Sequence, residues 1–229
     1  FIGEPDIRIT EDPIRILRGL RLAHKLSFSL DPDFRSAIIR NAESLSTAIL
    51  PRKREEYLKI LKLKNAPLVF VEMFDLGILK FLLPSLHELF SENTDNITTF
   101  TNYLVNARSC LENFKEPTDL FSAFLFAYIK SSDELNTLSS QDLEEHPKLV
   151  SLIKDELGVF KLESSHFFKT ISFMGALEKI DYFKRKGERR RLAFLSHSHL
   201  SLANEFCRIE NVYKYSDYIF WKTQISENK

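Results

Sequence analysis

The residues best suited to chemistry lie near the start of the chain, within residues 8–22. Thr10 is a favourable N-cap, and Glu11 and Asp12 follow it where the dipole of a new helix favours anions. Asp12 and Arg15 are three residues apart, so such a helix would project an acceptor pair beside a donor fork. That combination matches the hydrogen-bonding edge of a nucleobase. A well-capped helix with a solvated polar face would carry the same residues, so the pattern leaves both interpretations open.

The same segment separates an apolar face from a basic one. Arg15, Arg18 and Arg21 follow one another at three-residue spacing and form a ridge that is suited to a negative partner. The opposite face, which is expected to pack against the core, carries Ile16, Leu17, Leu20 and Ala23.

Two further groups of basic side chains are candidates for contact with the same RNA, and the one within residues 184–191 has the composition of a phosphate-binding patch. Neutralising several phosphates releases counterions, which makes binding to nucleic acid depend on salt. For the group within residues 184–191, a solvated turn between helices is the alternative. The first group comprises Arg52, Lys53 and Arg54, and the second comprises Lys184, Arg185, Lys186, Arg189, Arg190 and Arg191.

The net charge of zero conceals an uneven distribution over the 229 residues. Residues 1–64 carry 13 basic and 9 acidic side chains, residues 65–183 carry 9 and 18, and residues 184–229 carry 10 and 5. We therefore expect a basic N-terminal part, an acidic body over 65–183 and a basic tail over 184–229, with the basic parts as candidates for contact with a polyanion. Chance scatter of solvated charges is the alternative.

Apolar residues recur at three- and four-residue spacing along most of the chain, and glycine occurs only six times. This periodicity predicts an all-α protein. The segment 131–145 is the most polar and is expected to be a long surface loop. The predicted helices span residues 11–27, 32–46, 51–63, 67–75, 77–90, 97–113, 117–130, 147–157, 163–184 and 188–226, the last with a break near 197–201.

Other potential sites are weaker. His197 and His199 resemble a metal-binding pair, but no third ligand is evident. Cys110 and Cys207 lack a metal-site spacing and are expected to be small buried residues of a reduced, cytoplasmic protein without a membrane partner. The many phenylalanines are expected in the core, and the aromatic residues around Trp221 either pack between helices or stack RNA bases.

Several motifs resemble the class II nucleotidyltransferases, which comprise bacterial poly(A) polymerases and CCA-adding tRNA nucleotidyltransferases. The N-terminal match consists of Gly3-Glu4-Pro5, Arg8, Glu11-Asp12-Pro13-Ile14-Arg15, Leu17-Arg18, Arg21 and Leu26-Ser27-Phe28. Pro51-Arg52 and Glu55-Glu56 are similar to the RNA-binding neck of the family. The poly(A) polymerase branch is favoured by Leu82-Leu83-Pro84-Ser85-Leu86, Phe90, Glu92-Asn93 and the basic run 184–191.

The resemblance implies an array of neck, body and tail helices that contacts ATP and RNA 3′ ends. It places base recognition on Asp12 and Arg15, with Arg18 near the nucleotide or its phosphates. It implies RNA contacts for Arg21 and for the two basic groups named above. Poly(A) addition is favoured, while CCA addition and a stand-alone RNA-binding module remain alternatives. A third alternative is a helical scaffold whose charged side chains are only solvated and bind no RNA.

The resemblance also implies a catalytic β-sheet head that holds Mg²⁺ on carboxylates. The sequence contains neither a Gly-Ser or Gly-Gly turn followed by Asp-x-Asp nor a strand-rich stretch. Asp31 and Asp33 flank Pro32 and are expected to cap a helix. We therefore expect no catalytic residues and no bound cofactor in this chain, which is expected to be inactive without the missing head.

Overall fold

The computed structural model describes residues 3–110 and 116–228, except for the side chain of Cys110. Within these residues all regular structure is helical, which confirms the predicted all-α class. The helices are α1 (Pro5–Glu11), α2 (Ile14–Leu26), α3 (Pro32–Arg40), α4 (Leu50–Leu61), α5 (Ala66–Asp75), α6 (Leu79–Leu82), α7 (Pro84–Glu92), α8 (Thr94–Cys110), α9 (Pro117–Ser131), α10 (Ser140–Glu145), α11 (Pro147–Ser151), α12 (Lys161–Leu177), α13 (Ile180–Arg185), α14 (Glu188–Leu195), α15 (Leu200–Ile209) and α16 (Tyr215–Glu227).

The start of the chain folds into two helices where one was predicted. α1 begins at Pro5 and includes Thr10, whose hydroxyl donates to the Asp6 carbonyl oxygen, so the predicted N-cap role of Thr10 is wrong. Asp12 is extended, with φ −154° and ψ 96°, because a following proline disfavours helical backbone. Pro13 then leads into α2 and places Asp12 in the break between the helices.

The apolar face of α2 packs into the core as predicted. Ile16, Leu17 and Leu20 are fully buried. Gly19 allows α3 to approach closely, because an added Cβ would lie 2.5 Å from the Phe34 ring. This packing fixes α2, so its basic side chains project from a rigid element.

Aromatic rings fill the centre of the molecule. Phe70, Phe100 and Phe124 pack edge to face, with ring centroids 5.3 to 6.0 Å apart. Phe126 continues the cluster towards Phe167 at 5.1 Å. The prediction that phenylalanines form the core is confirmed for these residues.

The last helices pack through the aromatic residues around Trp221. The buried Trp221 indole donates to the Leu177 carbonyl oxygen at 2.9 Å. Tyr218 is buried and donates to Glu205 at 2.8 Å, and Tyr213 donates to Asn204. Packing between helices, rather than base stacking, is therefore the role of these three aromatic side chains.

The polar segment 131–145 is not the predicted long loop. It forms a 3₁₀ turn at Leu135–Thr137 and the helix α10, and buries Leu135 and Leu143. These two leucines, together with the partly buried Leu138, attach the segment to the core. The predicted helix 97–113 is α8 as far as Cys110; residues 111–113 and the Cys110 side chain lie outside the described part.

Asp31 caps α3, as predicted, by accepting the N–H groups of Asp33 and Phe34. Cys207 is buried, also as predicted. Among the described residues no helix is both long and apolar enough to cross a membrane.

Candidate nucleotide and RNA interface

Asp12 lies between α1 and α2, and each of its carboxylate oxygens accepts a hydrogen bond. Oδ1 accepts the N–H of Ile14 at 3.3 Å, and Oδ2 accepts from the Arg52 guanidinium at 2.8 Å. Burial alone would raise the pKa of Asp12, but the hydrogen bond and charge of Arg52, aided by Ile14 and Arg18, hold the pKa below its usual value. Asp12 is therefore an acceptor-only carboxylate at neutral pH, in a fixed orientation.

Arg15 lies at the same junction but is held by different partners. Its Nη1 donates to the Glu11 carboxylate at 2.6 Å and to the Arg8 carbonyl oxygen at 2.8 Å. Arg8 also donates to Glu11, at 2.9 Å. Asp12 and Arg15 thus come from one short stretch, and each is oriented by a separate contact rather than by the other. The side chain of Arg15 remains 31% exposed, which leaves part of its guanidinium available to a ligand.

Arg18 and Arg21 converge on Glu56 of α4, a carboxylate that is 1% exposed. Glu56 accepts from Arg21 Nε at 2.8 Å and Lys59 Nζ at 2.9 Å, while Arg18 Nε lies 3.5 Å away. Burial would raise the pKa of Glu56, but Lys59 and Arg21 outweigh burial and lower it. The basic ridge of α2 therefore has a negative partner within the chain itself.

The central position of Glu56 was missed by sequence reasoning, which noted it only in the neck motif. The helical periodicity of α4 could have indicated its burial, because Glu56 lies on the same buried face as Tyr57, Ile60 and Leu61. A carboxylate at such a position requires cations around it.

Lys53 and Arg54, the other two members of the first basic group, differ from Arg52 in their surroundings. Arg54 pairs with Glu163 of α12 at 2.5 Å, and its guanidinium lies 4.2 Å from the Phe160 ring centroid and 5.2 Å from that of Phe121. Lys53 is half-buried, and this burial lowers its pKa. The structure therefore uses Arg54 to join α4 to α12.

The second basic group lies at the end of α13 and the start of α14. Arg185, Arg189 and Arg190 are exposed, and Arg191 is half-buried. None of the four forms an ion pair with an acidic residue of the described chain. Lys184 and Lys186 lie 4.9 and 4.6 Å from the ring centroids of Phe220 and Tyr182. We call these six cations, Lys184 to Lys186 and Arg189 to Arg191, the tail patch.

The histidines form an aromatic cluster rather than a complete ligand set. His166 and His199 lie 4.3 Å apart, and His197 lies 4.9 Å from Phe173, all between ring centroids. Burial lowers the pKa of His166 and His199. Across the described ranges, no group of three or more His, Cys, Asp or Glu side chains is arranged to hold a metal ion.

Comparison with known proteins matches part of the chain to one family. The family profile described as "Probable RNA and SrmB- binding site of polymerase A" matches residues 27–90. These residues include α3 to α6, most of α7, and the basic residues of α4.

Individual relatives come from both branches of the resemblance. Poly(A) polymerase I of Salmonella typhimurium is 34% identical over 96 residues, which are 42% of this chain and 21% of that protein. The CCA-adding enzyme of Lactobacillus delbrueckii subsp. bulgaricus is 36% identical over 77 residues, 34% of this chain and 19% of that enzyme. The matched region thus spans about a fifth of each relative. Over this region the chain is similar to bacterial poly(A) polymerases and CCA-adding enzymes, and the similarity to poly(A) polymerase is slightly more extensive.

Proposed function

We propose that this chain is the nucleotide-reading and RNA-holding part of a template-independent nucleotidyltransferase that adds AMP to RNA 3′ ends. The observation that carries the proposal is the junction of α1 and α2, where Asp12 and Arg15 are held by Arg52 and Glu11. An oriented carboxylate beside an oriented guanidinium can select a base without a paired template strand. The longer match to a relative named poly(A) polymerase favours ATP as the nucleotide.

In the proposal, RNA is bound by two kinds of basic side chain, which differ in whether an acidic residue of the chain holds them. The tail patch supplies side chains without acidic partners, which suits contact with phosphates regardless of sequence. Arg18, Arg21 and Arg52 are already paired with carboxylates, so they approach RNA in fixed orientations. Lys53 adds a partly buried cation on α4, and Arg54 acts indirectly by holding that helix against α12.

Phosphoryl transfer in the proposal belongs to a separate catalytic head that carries the carboxylates for Mg²⁺. The described residues offer no cluster of three metal-binding side chains, so the proposal gives them no metal-binding role. ATP binding is then shared, with this chain contacting the base and the head contacting the triphosphate. The cytoplasm, where ATP and RNA 3′ ends occur together, is the proposed location.

The base-reading role is tested by Asp12→Asn in the complete gene product. The substitution replaces one acceptor by an amide donor, so preference for ATP over GTP and CTP is expected to fall about tenfold, within the 1–3 kcal/mol range of such contacts. Incorporation of each nucleotide into an unstructured RNA measures this preference. Asp6→Asn is the matched control, because Asp6 is an acidic residue of α1 that pairs with Arg40. Unchanged selectivity in Asp12→Asn would refute base reading.

CCA addition is the second candidate, favoured by the similarity to a CCA-adding enzyme. The complete gene product is supplied with tRNA lacking its 3′ end and, separately, with unstructured RNA. Addition of many AMP residues to the unstructured RNA supports poly(A) synthesis, whereas C and A addition confined to the tRNA supports the second candidate. RNA binding without any incorporation would indicate a stand-alone binding module.

A further inference from the structure

A cavity of about 650 Å³ lies beside the tail patch, outside the α1–α2 junction. Its size falls in the range of pockets that enclose small ligands. Apolar side chains from several helices form much of its wall, namely Phe126, Ile129, Ile171, Met174, Phe183 and Phe194. Flat rings and methyl groups of this kind suit the face of a planar aromatic ligand.

Polar side chains also line the cavity. The side chains of Asn136, Ser172 and Glu178 line the cavity and are exposed, so they can donate to or accept from a ligand. The ion pair of Lys130 and Glu210, at 2.8 Å, completes this polar part of the wall. An amide, a hydroxyl and a carboxylate together match the mixed donors and acceptors of a nucleobase edge.

The rim of the cavity is continuous with the tail patch. Lys186 belongs to both, and its Nζ lies 4.6 Å from the ring centroid of Tyr182, which is 63% exposed and also lines the cavity. Lys179 adds a second cation that forms no ion pair in the described chain. Phosphate-binding cations and an exposed ring therefore meet at one edge of an aromatic-lined cavity.

We propose that this cavity binds one unpaired base of single-stranded RNA whose phosphates contact the tail patch. The inference rests on the proposed RNA binding and adds a defined subsite to it. Stacking against aromatic side chains and unpaired polar contacts to the base edge are the usual means of holding splayed-out RNA bases. The occupant is a base of a strand rather than a free nucleotide, because the cations at the rim continue into an array of six.

The test fills the cavity without removing any contact. Gly175 lines it from α12, and a Cβ added there would meet no heavy atom within 4 Å, so Gly175→Phe places a ring in the open space. Glycine is a poor helix former, so helix propensity does not oppose the change. Leu162→Phe is the matched control, since Leu162 is 83% exposed on the same helix and does not line the cavity.

Single-stranded RNA with one 2-aminopurine reports on the subsite through the fluorescence of that base, and filter binding reports on the strand. Binding to the unmodified chain or to Leu162→Phe is expected to change the fluorescence of the 2-aminopurine. Gly175→Phe is expected to bind the RNA at most about tenfold more weakly and to leave this fluorescence unchanged. An equal fluorescence change in Gly175→Phe would overturn the subsite and leave the proposed function standing. Failure of the unmodified chain to bind any RNA would instead overturn the proposed function, and the subsite with it.

Tyr182→Ala provides a second variant that does not depend on filling the cavity. Because Tyr182 is largely exposed, its removal has little effect on folding, and a weaker fluorescence change is expected. AMP is titrated up to millimolar concentration against the bound fluorescent strand, to distinguish a base of a strand from a free nucleotide. Displacement of the fluorescent strand signal by AMP at concentrations well below millimolar would overturn the assignment to a strand and indicate a mononucleotide site.

Discussion

The two basic regions of the molecule use their cations in opposite ways. In the N-terminal helices, Arg18 and Arg21 converge on the buried Glu56, and Arg52 pairs with Asp12. In the tail patch, Arg185, Arg189 and the other two arginines have no acidic partner in the described chain. The arginines of the two regions therefore differ in whether a carboxylate of the chain holds them.

The difference suggests that the two basic regions have different roles in binding. A cation fixed by a carboxylate has lost its conformational freedom before a ligand arrives, which favours contacts that depend on geometry. A solvated cation keeps its freedom and contributes mainly by releasing counterions from phosphates. The N-terminal region thus suits recognition of a base, and the tail patch suits sequence-independent attachment of RNA.

The largest expected effect comes from removing the buried charge at the centre of the N-terminal network. Glu56→Gln leaves the cations around it without their counter-charge, so the free energy of unfolding is expected to fall by about 3 kcal/mol in urea titrations. Glu55→Gln is the matched control, because its side chain is 68% exposed, and is expected to change stability by less than about 0.5 kcal/mol. Equal effects of the two variants would contradict the special position of Glu56.

The pH dependence of that difference sharpens the comparison. The pKa of Glu56 is lower in the folded chain than its ordinary value of 4.5, so its stabilising contribution is complete above pH 4.5 and is lost as the pH falls through the folded-state pKa. The stability gap between the unmodified chain and Glu56→Gln should therefore narrow below pH 4.5. If this difference in stability widened as the pH falls, the pKa of Glu56 would be raised rather than lowered in the folded chain, which would contradict the prediction.

Removing unpaired cations should alter RNA binding and leave stability nearly unchanged. The combined variant Arg185→Ala, Arg189→Ala and Arg190→Ala is expected to bind single-stranded RNA about a hundredfold more weakly at 0.1 M salt. The slope of log affinity against log salt should decrease in magnitude by about 2, since each phosphate contact to a single strand contributes about 0.7.

The matched control removes the same charge from the acidic body, where Lys154, Lys161 and Lys169 are exposed and form no ion pair within the described chain. Replacement of these three lysines by alanine is expected to leave the salt slope unchanged. Similar losses in both variants would mean that net charge alone, rather than the tail patch, attracts RNA.

The smallest expected effect concerns the pair of Asp12 and Arg52. Because the Arg52 side chain is 43% exposed, a double-mutant cycle with Asp12→Asn and Arg52→Gln should give a coupling energy in stability below about 1 kcal/mol. The pair then serves orientation more than stability. A coupling of several kcal/mol would place it in the same class as the buried Glu56.

Local sequence patterns predicted the features that depend on neighbours in the chain. Helical periodicity gave the all-α class, and the proline after Asp31 marked the start of α3. The two-helix start was missed because Thr10 and Glu11 form a good cap pattern that α1, beginning at Pro5, overrides. The resemblance to bacterial poly(A) polymerases and CCA-adding enzymes was visible in the sequence because the N-terminal motifs are contiguous.

Contacts between distant residues could not be predicted in the same way. Arg54 meets Glu163 across 109 positions, and Asp12 meets Arg52 across 40. The sequence shows that these residues are charged but not which charges become neighbours when the helices pack. For this reason, cations that pair with a carboxylate could not be distinguished from unpaired cations in the sequence alone.

The central claim is that the chain holds RNA through unpaired cations while its paired cations serve recognition. Its most direct test is the affinity of the unmodified chain for single-stranded RNA, measured by filter binding over a range of salt concentrations. With contacts from the four arginines of the tail patch, log affinity should fall against log salt with a slope of about −3. Absent binding, or an affinity that does not change with salt, would contradict the account.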